Sequence, residues 1–255
     1  MSKWAGVVSN AVRQFVSFLI AVLPALILPP AAIAQAGSFD VLKLGHPVGT
    51  ASFNVVANAD GYDSTSLVRV YMKGLSYSLS KTEQLSAANE LKHVQLSATV
   101  NGNAVNLTAA PDTEQLLLNV SANGRSSTAR LAQHSAAVFL PDFDPGALET
   151  LLTLGVNHNN RDLWAILPKQ SGTQPGSVAA IELATYADEA GTLEGRPIAV
   201  HHLVASIAGT RTDLFSGPEN QLLQAELPQV GFALVRKGFI LKPPDRPVAV
   251  APPAS

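Results

Sequence analysis

The chain contains no cysteine. That excludes disulfides, thiolate metal sites and a lipid-modified cysteine behind a leader, so an exported domain of this sequence must be held by its core alone. Charge is also scarce, at 14% of residues, with 17 basic against 19 acidic side chains. A nearly neutral surface gives no electrostatic basis for nucleic acid or an anionic membrane. The signatures of common chemistries are missing: there is no Gly-x-Ser-x-Gly elbow, phosphate loop, Gly-x-Gly-x-x-Gly or His-Glu-x-x-His. Ser78 and Lys81 have the Ser-x-x-Lys spacing, but Ser78 lies in an alternating stretch that reads as strand rather than at a helix start. Beyond residue 36 no segment is long and apolar enough to span a bilayer.

What is present begins with a leader. Lys3 and Arg13 form a positive start without an acid, Phe15 to Leu28 form an apolar run, and Ala32-Ile33-Ala34 and Ala34-Gln35-Ala36 are overlapping small-x-small cleavage sites. This pattern predicts a secretory signal peptide over 1–36, cleaved after Ala34 or Ala36. Pro24 and Pro29-Pro30 break the apolar run before the roughly 20 residues a membrane span needs. The expectation is a periplasmic or extracellular protein with no membrane anchor after cleavage. Removing Lys3 and Arg13 leaves 15 basic and 19 acidic residues, a net charge of about −4. With 47% hydrophobic residues the remainder is no disordered chain.

Alternation dominates residues 37–241, which read as a single β domain. Phe53 and Val55 alternate with Ser52 and Asn54, and Asp60-Gly61 supplies a turn. Val68, Val70 and Met72 share one face. After Gly74 the phase inverts to Leu75, Tyr77 and Leu79, which reads as a bulge or bend in one long curved strand, the alternative being two strands broken at Gly74. Asn101-Gly102 and Asn123-Gly124 turn two further hairpins. About ten or eleven strands, mostly sequential hairpins, predict an all-β fold: a strongly curved antiparallel meander or partly open barrel. One short helix should pack on it over Asp144–Leu154, with Asp144 as cap, Pro145 in the first turn, Leu148, Leu151 and Leu152 on one face, and Gly155 as stop. A weaker helical stretch is expected over Glu83–Asn89. Residues 242–255, with five prolines among Ala and Val, read as a disordered tail.

Chemistry-bearing residues are few, and none forms a catalytic or metal motif; no cofactor is implied. His201 and His202 are adjacent, so on a strand they point to opposite faces, one toward the core or a cavity and the other toward solvent. Asp213 lies on the following strand. His158-Asn159-Asn160-Arg161-Asp162 is the loop densest in polar groups and precedes Trp164, the one tryptophan beyond the leader. His202, Asp213, Trp164, Arg161 and His158 are therefore the candidates for a cavity or its rim. The oxygen-rich Asn58–Asp63 lacks calcium-loop spacing and reads as a hairpin turn.

The run Pro197-Ile198-Ala199-Val200-His201-His202-Leu203, then Gly209-Thr210-Arg211-Thr212-Asp213-Leu214-Phe215, then Asn220-Gln221-Leu222-Leu223-Gln224-Ala225-Glu226 resembles a group of uncharacterised exported bacterial β-proteins. These are similar to the half-barrel of the outer-membrane lipoprotein carriers. The resemblance implies a curved antiparallel sheet, a helix over its open side and a greasy concave face, and it carries no catalytic residue. The sequence thus favours an exported, non-catalytic protein that binds a lipid-like or other apolar molecule. The alternative is a structural or interaction protein of the cell envelope with a filled core, and a hydrolase ranks last.

Overall fold

The computed structural model describes residues 35–157, 162–169 and 175–242. Seventeen strands and one α-helix lie among them. The first eight strands, β1 (Gln35–Lys43), β2 (His46–Asn58), β3 (Gly61–Met72), β4 (Leu75–Ser86), β5 (Leu91–Val100), β6 (Asn103–Asp112), β7 (Gln115–Ala122) and β8 (Arg125–Ala132), form an uninterrupted antiparallel meander. A short β9 (Ala137–Phe139) leads to helix α1 (Pro145–Leu152), which runs on into a π-helical turn over Thr153–Asn157. There follow β10 (Leu163–Pro168), β11 (Gly176–Thr185), β12 (Glu189–Leu193), β13 (Arg196–Ile207), β14 (Thr210–Ser216), β15 (Leu222–Leu227), β16 (Phe232–Arg236) and β17 (Phe239–Leu241).

Strand β1 joins the two halves, pairing β2 on one edge and β16 on the other. From β16 the sheet continues through β15, β14 and β13 to β11 and β10, and ends in a parallel pairing of β10 with β9. Strand β13 forks. Leu203–Ile207 pairs with β11, whereas Arg196–Val200 pairs with β12, whose far edge takes β17. Among the described residues β8 pairs only with β7 and β9 only with β10, so the sheet does not close into a barrel. It does curl: β11 lies against β8 and β9 against β5. A Cβ on Gly176 would come within 2.5 Å of Leu118 Cδ2 across that gap.

The helix fills the concave side. All eight of its residues are buried, and it touches β2, β3, β9 and β15. Asp144 caps it, accepting from the N–H groups of Gly146 at 2.9 Å and Ala147 at 3.3 Å, which satisfies donors that the first turn cannot. Leu151 and Leu152 are wholly buried and belong to one continuous core with Phe39, Val94, Leu118 and Phe139. A second, smaller core lies on the opposite face of β13–β15, where Phe239 of β17 covers Val200, Phe215 and Leu223.

Several expectations change. The meander contains more strands than the ten or eleven counted from alternation, because turns at Leu44-Gly45, Glu194-Gly195 and Lys237-Gly238 separate strands that lack an Asn-Gly signal. Gly74 is no bend in a long strand. Lys73-Gly74 is a two-residue hairpin turn, with Met72 opposite Leu75. Directly opposed residues share a face although they lie an odd number of positions apart, and that produces the inversion of phase. Glu83–Asn89 is not helical: β4 continues to Ser86, with Gln84 exposed and Leu85 buried. Residues 1–34 of the predicted leader and the tail beyond Lys242 lie outside the described residues, while Gln35 and Ala36, the last two of the predicted 1–36, begin β1.

Candidate functional site

His202 and Asp213 meet. The Ala208-Gly209 turn sets Val204 opposite Asp213 and His202 opposite Phe215, so His202 and Asp213 are diagonal neighbours on one face. His202 Nε2 lies 2.9 Å from Asp213 Oδ1, and its Nδ1 lies 3.3 Å from Glu189 Oε1 on β12. The ring stacks on Phe215 at 4.6 Å between centroids and leans on Tyr186 at 5.2 Å. Arg211 grips Asp213 in a fork, with Nε to Oδ2 at 2.9 Å and Nη2 to Oδ1 at 2.6 Å. Burial pushes the Asp213 carboxyl up, but the hydrogen bonds and charges of Arg211 and His202 outweigh it and hold the group below the usual carboxylate range. Both imidazole nitrogens are occupied by carboxylates, which leaves no free nitrogen to serve as a base.

This cluster lies on the outer face, beside the smaller core, and not in the concavity. Of the two adjacent histidines it is His201 that faces inward. Its Nδ1 lies 3.0 Å from Asp188 Oδ1, and it lines a cleft of about 720 Å³ at the end of the concave face that α1 leaves uncovered. Leu163, Ile181, Leu183 and Leu203 form the apolar wall, Val156 of the π-helical turn closes one side, and Thr185 and Asn220 supply polar groups at the rim.

Trp164 lies on the other side of β10 from Leu163. It stacks on His134 at 3.8 Å, and its Nε1 donates to Asp162 Oδ1 at 2.9 Å, so it serves the rim of β9–β10 and does not line the cleft. His158 and Arg161 lie outside the described residues.

The concave face also holds a polar cluster that lies outside the residues the sequence marks as candidates. On β4 the inward series Leu75, Tyr77, Leu79 continues through Lys81 and Glu83, both fully buried. Lys81 Nζ lies 2.8 Å from Glu83 Oε2 and 2.6 Å from Asp144 Oδ2, at the cap of α1. Burial disfavours the ammonium, yet the two carboxylates more than offset that and raise the Lys81 pKa. Two carboxylates face one ammonium, and burial pushes Glu83 up against the pull of Lys81. Ser64 and Ser66, opposite Glu83 and Lys81 on β3, bury hydroxyls that have no hydrogen-bond partner among the described residues. The same run explains Ser78 and Lys81: they are three apart on a strand and face opposite ways, so they form no dyad.

At the middle of α1, Glu149 is 2% exposed. It accepts from the Leu222 N–H at 2.8 Å and from the side chain of Gln35, tying the helix to β15 and β1. Burial raises its pKa to about 7, against the hydrogen bond from Leu222, the charge of Arg236 and the hydrogen bond from Gln35. The sequence pattern puts Leu148, Leu151 and Leu152 on the packed face. Because the helix is enclosed on all sides, Glu149 is packed as well.

No protein-family model, curated protein or solved structure matches this chain.

Proposed function

We propose that the protein is an exported carrier or receptor for a lipid-like or other apolar small molecule, held at the uncovered end of the concave face. The observation that carries this reading is the cleft of about 720 Å³ walled by Leu163, Ile181, Leu183 and Leu203 with His201, Thr185 and Asn220 at its rim. Its size falls within the roughly 300–1,000 Å³ of small-molecule sites, and it sets an apolar wall beside the polar groups of Glu182, Thr185, His201 and Asn220. The resemblance of the C-terminal half to lipoprotein-carrier-like β-proteins agrees with such a role. Export fits the leader, and cleavage after Ala34 would keep Gln35, whose side chain holds Glu149.

The test has two arms. Native mass spectrometry of the protein from its own host should show added lipid-like mass. In the second arm, purified protein is titrated with N-phenyl-1-naphthylamine, an apolar fluorophore. Emission should rise with the wild type, fail to rise with Leu183→Arg, and persist with Leu67→Arg on the exposed face. A clean apo mass together with equal probe response in all three proteins overturns the reading and favours a structural envelope protein with a filled core.

A further inference from the structure

A second concavity lies on the outer face, away from the proposed ligand cleft. It measures about 600 Å³ and runs between the β12–β17 pair and the outer surfaces of β15, β16 and the β1–β2 turn. Its apolar surface comes from Leu42, Leu44, Phe232, Val235, Phe239 and Ile240. Leu44 is 74% exposed and Ile240 66% exposed, and Val230 beside them is 48% exposed. Two of the seven large exposed hydrophobic residues described, Leu44 and Ile240, thus line one groove, an exposed apolar patch of the kind that marks a binding surface. Glu189, Glu226 and Lys242 line it as well; Glu189 faces His202 Nδ1 and Glu226 accepts from Gln224 Nε2.

We propose that the C-terminal tail of this same chain, residues 243–255, docks in this groove. Two observations select it over other occupants. The first is position: Lys242 itself lines the groove, fixed there by its N–H to Ala190 O at 2.9 Å, so the tail leaves the fold from the lip of the site. The second is pattern. Val248 and Val250 lie at alternate positions, an aliphatic pair to match the apolar floor.

Reach agrees. A fully extended proline-rich chain gains about 3.1 Å per residue, so eight residues beyond Lys242 could reach up to about 25 Å. Adjacent strands are about 4.8 Å apart, so crossing from β15 through β16 to β1 takes about 10 Å. The tail spans the groove with residues to spare. Extended proline-rich segments dock at low entropic cost because their backbone is preformed and needs no ladder partner. Tethering at Lys242 keeps the local concentration of the tail high, so modest contacts suffice.

The absence of cysteine makes the test clean. A single Ser255→Cys change in the exported protein with its tail intact takes one nitroxide label, read by paramagnetic broadening of amide and methyl signals. Broadening should concentrate on Leu42, Leu44, Phe232 and Ile240 and be lost several-fold when Val248→Asp and Val250→Asp are added, with all other signals unmoved. Broadening spread evenly over the surface, or centred elsewhere, overturns the proposal. A mixture of labelled protein at natural isotope abundance with unlabelled, isotope-enriched protein separates the remaining case. Broadening of the groove in that mixture assigns the groove to a second copy and also overturns docking in cis.

Discussion

Lys81 shows how one residue can bind a helix to a sheet. A lysine with no exposed surface survives only if paired, and its partners come from both sides of the interface: Glu83 from its own strand and Asp144 from the cap of α1. Replacing it alone should be costly, because two carboxylates are then left buried without their cation. Lys81→Met is expected to lower unfolding stability by about 3–5 kcal/mol. The double change Lys81→Met with Glu83→Leu should recover a large part of that loss, since Asp144 still accepts from Gly146 and Ala147. Chemical denaturation at neutral pH measures both, and a single variant as stable as the wild type would show that the triad carries no such weight. The partners of Lys81 were half legible in the sequence. Alternation through Leu79 sets the phase that turns Lys81 and Glu83 inward, but the sequence reads Glu83–Asn89 as a helical stretch. Asp144 was legible as a cap, whereas its pairing with a lysine 63 positions earlier depends on how the sheet curls. His202 and Asp213 were legible as residues and not as a pair, because their meeting depends on the register set by the Ala208-Gly209 turn.

At the scale of elements, hairpin turns decide what alternation can reveal. Asn101-Gly102 and Asn123-Gly124 are legible because both residues of such a turn need positive φ, and asparagine and glycine reach it at least cost; the observed values are 48° and 84°, and 52° and 71°. Leu44-Gly45 and Glu194-Gly195 take the same geometry, with Leu44 at 49° and Glu194 at 50°, and carry no such signal. The Asp60-Gly61 turn lies one residue earlier than the sequence suggested. Asn58 pairs with Gly61, Ala59-Asp60 forms the loop, and the Asp60 N–H donates to Asn58 Oδ1 at 2.8 Å. Gly61 therefore occupies a strand position with φ at 142°, where a Cβ would come within 2.1 Å of Leu85 O. Gly102 has a φ of 84° and open space around it. These two glycines should behave differently when replaced by alanine. Gly102→Ala should cost about 1–2 kcal/mol of left-handed strain. Gly61→Ala adds a backbone clash and should cost clearly more, lowering the melting temperature several degrees further in a paired thermal scan; equal shifts would refute the distinction.

The whole molecule is an open sheet curled around its own helix, and that arrangement has a pH signature. Closure was not legible, since alternation fixes faces but not the curl that brings β11 to β8 without pairing. The enclosure of α1 follows from that curl, and it strands Glu149 between β1 and β15 with its pKa raised to about 7 from an ordinary 4.5. Between these values the unfolded chain releases the proton while the native state retains it. The native state then binds more protons, so this group makes stability fall as pH rises through the window, by on the order of 3 kcal/mol in all. Above about pH 7 both states are ionised and the slope ends. Asp213 acts in the opposite sense, because its lowered pKa gives stability that is lost on acidification. The signature of Glu149 is therefore the difference between wild type and Glu149→Gln, in which the amide oxygen keeps the Leu222 hydrogen bond and nothing ionises. Denaturation midpoints measured from pH 4 to pH 8 should nearly coincide at pH 4 and separate in favour of the variant up to about pH 7, then run parallel. Curves parallel over the whole range would mean that Glu149 ionises in the folded protein as it does in the unfolded one, and that burial of α1 leaves its carboxylate in effective contact with water.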